Sequence, residues 1–179
     1  MSIEPRTIEI CASDGYRLAA TLYDADAGEA MLVAPAMGVR RRFYDAFARY
    51  LAERGRNVVT IDYRGIGDSR PANLRRFNGT MSDWGRLDIA AAIEWIVREL
   101  RPSSLAYAGH SAGGQLVGLA SNADRIERML LVCAQSGHWR HWPGLRAYGL
   151  AALWLAMPVI SHVVGFFPSK PLGLGSEDL

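Results

Sequence analysis

Four short apolar-rich runs, at residues 30–34, 57–61, 105–109 and 129–133, alternate with segments of helical periodicity, and this alternation constrains the fold more than any other feature. Such runs suit strands buried on both faces, the condition of parallel strands whose crossover helices cover the sheet. A parallel pair cannot be closed by a tight turn, so each helix must carry the chain back to the same end of the sheet. Phe43, Phe47 and Leu51 are spaced for one helix face ahead of Gly55. Ile89, Ile93, Ile96 and Leu100 form a longer stripe ahead of Pro102, with Ser82 or Asp83 as the candidate cap. A third helix is expected over residues 111–122. Before the first run, two Ile-, Leu- and Thr-containing stretches flank Ser13-Asp14-Gly15, a hairpin signal. The expected architecture is therefore α/β: a doubly wound, mostly parallel sheet with an antiparallel N-terminal hairpin.

Length and charge narrow the functional classes. A chain of 179 residues, half of them hydrophobic, is enough for one domain. Twenty Lys and Arg against 18 Asp and Glu leave +2, no electrostatic footprint for nucleic acid. The polar N-terminus lacks the apolar core of a secretory signal, so a cytoplasmic, reduced protein is expected. Cys11 and Cys133 have no CxxC partner or histidine at ligand spacing; they read as small apolar residues, and no metal or cofactor is expected.

The chemistry-bearing motif is Gly109-His110-Ser111-Ala112-Gly113, which fits Gly-x-Ser-x-Gly between an expected strand and an expected helix. A serine on a sharp strand-to-helix turn is pushed out at the carboxyl edge of the sheet, and Gly109 and Gly113 give the backbone room to turn. The following helix aims free N–H groups and its dipole at the oxygen that becomes negative during acyl transfer, which makes the amide of Ala112 one oxyanion donor.

Together with the loop Pro35-Ala36-Met37-Gly38 and the segment Asp62-Tyr63-Arg64-Gly65-Ile66-Gly67-Asp68-Ser69, this motif resembles the N-terminal part of the α/β-hydrolase superfamily over about residues 7–135. The loops are most similar to those of serine aminopeptidase-like and monoacylglycerol lipase-like hydrolases. That resemblance implies Ser111 as nucleophile and a second oxyanion amide from the loop after the third strand, assigned to Met37, with Ala36 and Gly38 as alternatives because Pro35-Ala36 replaces the usual His-Gly. It also implies that Asp62 and Arg64 organise their turn rather than do chemistry. Relatives with an aspartate nucleophile are excluded by Ser111, leaving acyl transfer.

A serine of this type needs a carboxylate and a histidine, in that order along the chain. After Ser111 come Asp124, Glu127, Glu177 and Asp178, and His138, His141 and His162, none in a family-like position. Asp124 and Glu127 lie at the far edge of the sheet; His138 leaves the same edge as Ser111 but reads as a loop or lid residue, and His110 as a local packing or hydrogen-bonding group. The expected division is an incomplete core over residues 1–137 and a helical lid over 138–179, with the last strands missing. Residues 147–167 contain no Asp, Glu, Lys or Arg and approach the length that crosses a bilayer. Gly149, Pro158, Ser161 and His162 interrupt them, so two short helices broken near Pro158 are expected, and membrane insertion is not. The implied activity is esterase- or lipase-like hydrolysis of a small hydrophobic ester or acyl substrate, impaired by the missing triad members; the alternative is a non-catalytic binding protein of the same fold. An unpaired edge at residues 129–133 is expected to favour homo-oligomers.

Overall fold

The Asp14-Gly15 signal folds as the sequence suggests. The computed structural model, which describes residues 3–166, opens with β1 (Arg6–Cys11) and β2 (Arg17–Tyr23) in an antiparallel hairpin. Its turn is closed by the Ala12 amide on Tyr16 O at 2.8 Å and by Gly15 at φ +83°. β3 (Glu29–Ala34), β4 (Asn57–Ile61), β5 (Ser104–His110) and β6 (Arg128–Val132) follow. The six strands form one sheet in the order β1-β2-β4-β3-β5-β6, parallel from β4 to β6 and antiparallel across β1, β2 and β4. The doubly wound α/β expectation is met.

Strand alternation sorts the core into two layers. Leu32, Val59, Ile61, Leu105 and Tyr107 face α3 (Ala90–Glu99), whereas Met31, Val33, Val58, Ala106 and Ala108 face α1 (Asp45–Ala52). The predicted stripe packs as read: Ile89, Ile93 and Ile96 are fully buried, each side chain contributing roughly 1.5–3 kcal/mol by leaving water. The helix starts earlier than Ser82 or Asp83, because Thr80 is the cap and its amide donates to Asp83 Oδ2 at 2.7 Å. Between the short α2 (Met81–Asp83) and α3 the backbone widens into a π-helical segment, Trp84–Ile89.

Three expectations need correction. The helix after Ser111 is only α4 (Ala112–Leu116) with a 3₁₀ turn, Val117–Leu119, because Gly113, Gly114 and Gly118 carry little helix propensity. The C-terminal segment forms one continuous helix, α5 (Leu145–Val164), with Pro158 inside. A proline removes one backbone donor, and here the loss does not stop the remaining hydrogen-bonded turns. Cys11 and Cys133 are both exposed free thiols rather than packed side chains.

β6 differs from the other parallel strands. Its five residues are all exposed, including Met129, Leu130, Leu131 and Val132, and among the described residues nothing pairs with its outer edge.

Candidate active site

β5 ends at His110 and α4 begins at Ala112, so Ser111 alone must turn the chain. It does so at φ +48°, ψ −109°, a conformation that costs a side-chain-bearing residue on the order of 1–3 kcal/mol. Neighbouring strands hold it there: the Ser111 amide donates to Val132 O at 2.8 Å and the Gly113 amide to Pro35 O at 3.1 Å. Tyr107 Oη donates to Gly113 O at 2.6 Å from beneath. Both flanking glycines are required by contact, as the motif suggests. A Cβ on Gly113 would lie 2.4 Å from Ala34 O, and one on Gly109 would lie 2.7 Å from the Gly114 nitrogen.

The elbow leaves three polar groups without partners. Ser111 is half-buried, and among the described residues no group hydrogen-bonds its Oγ. The amides of Ala112 and Met37 likewise have no acceptor there. The Met37 loop is placed beside the elbow because β3 runs next to β5, with Ala34 opposite Gly109. Of its two alternatives, Ala36 is already engaged: its amide donates to Tyr44 Oη at 3.0 Å, and that hydroxyl lies 2.9 Å from His110 Nδ1. His110 is thus tied into a local bridge between α1's approach and the strand end. An apolar cavity of about 270 Å³ opens on the α1 side of the sheet, lined by Val33, Phe43, Phe47, His110 and Val132.

The loop after β4 has the opposite character. Asp62 is buried, accepts the Arg41 amide at 2.7 Å and the Asp68 amide at 3.0 Å, and pairs with the Arg41 guanidinium. Arg64 Nε donates to Asp88 Oδ1 at 2.7 Å, its amide to Asp88 Oδ2 at 2.9 Å, and its Nη1 to Asp14 Oδ2 at 2.7 Å. Asp62 and Arg64 therefore organise the turn. Arg41 and Asp88 escaped the sequence reading, and Asp14 figures there only as a hairpin residue; Asp88 arrives on the π-helical segment, and no spacing rule pairs it with Arg64. Burial pushes the Asp88 carboxyl up to about 6 against the opposing pull of Arg64. Asp14, hydrogen-bonded by Arg64, is held below the usual carboxylate range.

No described residue brings a base to Ser111. The Glu127 amide bonds Leu105 O at 2.9 Å, at the start of β5, and six strand residues separate that point from Ser111 by roughly 20 Å. Asp124 precedes it in the 3₁₀ turn Ala123–Arg125. His138 Nδ1 accepts the Arg140 amide at 3.3 Å, and His141 Nδ1 lies 2.9 Å from Ser136 Oγ. His162 sits on α5 beside residues 74–81. Glu177 and Asp178 lie outside the described residues. No group of three or more His, Cys, Asp or Glu that could hold a metal occurs among the described residues.

A mostly parallel sheet whose strand β5, beside the edge strand β6, delivers a strained serine into a helix, with a backbone loop from the neighbouring strand β3 beside it, defines the class of protein. The chain belongs to the α/β hydrolase fold family, whose sequence profile matches residues 32–157. Among solved structures, it is similar to the esterase Pf2001 of Pyrococcus furiosus, with 22% identity over 70% of this chain and 49% of that one and a TM-score of 0.59. A serine hydrolase of Xanthomonas campestris described as lacking a lid shares 20% identity over 76% of this chain and 64% of that one, TM-score 0.60. A hypothetical protein of Pseudomonas aeruginosa shares 18% identity over 93% and 57%, TM-score 0.66. The chain thus spans about half to two thirds of the length of these structures. No curated protein sequence matches it.

Proposed function

We propose that this chain is the nucleophile-bearing part of a serine hydrolase acting on small hydrophobic esters, with Ser111 as nucleophile and the amides of Ala112 and Met37 as the oxyanion site. The observation that carries this reading is Ser111 at φ +48°, strained between a buried strand and a helix start, with its Oγ and the two amides uncommitted. Backbone strain of this kind persists only where the surroundings over-determine it, and it concentrates at functional sites. The fold family and the esterases among its structural neighbours support the same chemistry, and the apolar cavity by His110 suits an acyl chain.

In the proposed step, Ser111 Oγ attacks the ester carbonyl carbon, the carbonyl oxygen becomes an oxyanion held by the two amides, and the alcohol leaves as the acyl-enzyme forms. Water then releases the acid. With no side-chain acceptor among the described residues, the serine proton passes to solvent water, which returns a proton to the leaving alkoxide, so turnover is expected to stay near the roughly 10³–10⁴-fold over water that binding and an oxyanion site supply alone. Residues 1–137 would act as the body, and the segment from 138 as a cap leaning on residues 74–81.

A fluorophosphonate probe tests the reading. Slow labelling that disappears in Ser111→Ala is expected. Folded wild-type protein that takes up no probe would sink it and favour a non-catalytic binding role for the same fold.

A further inference from the structure

A helix that is apolar all round is normally covered on every side, yet only Ala147 of α5 is buried. One side leans on the body: Met157, Ser161, His162 and Gly165 line a cavity against residues 74–81, and Trp154 Nε1 donates to Gly137 O at 2.9 Å. The other side presents Leu145, Tyr148, Ala152, Leu155, Val159 and Val163, spaced three and four residues apart along one face about 30 Å long. The five large side chains of this stripe are between 63% and 86% exposed.

Charge and aromatic content decide what covers it. From residue 128 to residue 176 the chain has no Asp or Glu, but it has Arg128, Arg140, Arg146 and Lys170. Arg140 and Arg146 flank the N-terminal end of the stripe, exposed and without a carboxylate partner among the described residues. Trp139, Trp142 and Tyr148 stand with them, Arg140 lying over the Trp139 ring at 5.2 Å. Aromatic and basic side chains at the edge of an apolar surface match the headgroup level of a bilayer. A helix laid along the body lies in a membrane surface rather than crossing it.

We infer that α5 docks this protein on an anionic lipid surface, its outer stripe in the acyl boundary and Arg140 and Arg146 among the headgroups. The inference is independent of Ser111, whose replacement by alanine should leave docking unchanged.

Sedimentation with vesicles of phosphatidylcholine, alone or mixed with phosphatidylglycerol, tests it. Wild type is expected to pellet with the mixed vesicles and to be released by high salt or alkaline carbonate. Leu155→Glu with Val159→Glu should lower partitioning at least about tenfold. Arg140→Glu with Arg146→Glu should lower it on the order of tenfold on the mixed vesicles and little on phosphatidylcholine. These arginines are exposed, so the second variant carries the test if the first fails to fold. Four results would overturn the inference: wild type left in the supernatant, pelleting that ignores these substitutions, carbonate-resistant retention indicating a span, or a lipid-free dimer that Leu155→Glu dissociates.

Discussion

Two of the loops that leave the carboxyl edge of the sheet, one after β4 and one after β5, treat their polar groups in opposite ways. After β4, Asp62 and Arg64 are buried and engaged, through Arg41, Asp68, Asp88 and Asp14. After β5, Ser111 adopts a strained conformation while its hydroxyl and the nearby amides stay uncommitted. A buried charge must be fully partnered or the fold loses several kcal/mol, so the first loop acts as scaffold. A polar group held under strain and left open is set up for an external partner. The difference marks the first loop as scaffold and leaves the polar groups of the second open.

The most severe way to break this contrast is Asp62→Ala. It strips the Arg41 guanidinium and two amides of their acceptor inside the core, and a loss of about 3–5 kcal/mol is expected in urea unfolding. A loss below about 1 kcal/mol would mean the loop is not a scaffold. The elbow variant Ser111→Ala should leave stability nearly unchanged in the same assay.

Asp88 sharpens the scaffold side through pH. Its folded value, raised by burial to about 6, exceeds the ordinary unfolded value near 3.9. Its contribution is therefore present below about pH 4 and is lost as pH rises through 6, on the order of 2–3 kcal/mol. Unfolding of wild type and Asp88→Asn compared at pH 4 and pH 7 should show wild type losing ground to the variant as pH rises. Asp14 and Asp68, both held low by arginine hydrogen bonds, act with the opposite sign and weaken the fold as pH falls. Taking the difference between the two proteins removes their shared effect.

The smallest effect probes the strain itself. Ser111→Gly and Ser111→Ala both lack the hydroxyl, but only glycine tolerates φ +48° freely. The glycine variant should be more stable by about 1 kcal/mol in thermal unfolding, the reverse of the usual ranking of the two residues. Equal stabilities would remove the strain on which the elbow assignment leans.

The sheet, its antiparallel opening and the position of the elbow were legible in the chain, because strand alternation, Asp14-Gly15 and Gly109-His110-Ser111-Ala112-Gly113 are local signals whose physics acts within a few residues. The Ile89, Ile93, Ile96 stripe was legible for the same reason. Helix ends were less so: the glycines at 113, 114 and 118 stop α4 early, and Pro158 does not stop α5. Local propensity sets a preference that neighbouring turns can override.

What the sequence alone determined is the α/β order and the strand-to-helix turn at Ser111. Only the tertiary structure decided which polar residues are free. Arg64 meets Asp88 and Asp14 across 24 and 50 residues, Arg41 meets Asp62 across 21, and Ala36 gives up its amide to Tyr44 while the Met37 amide stays open. Such pairings depend on how separate strands and helices are brought together, so no periodicity or spacing along the chain encodes them. The outward apolar stripe of α5 belongs to the same class, since a helix's composition says that it is apolar and only its packing says which side is left uncovered.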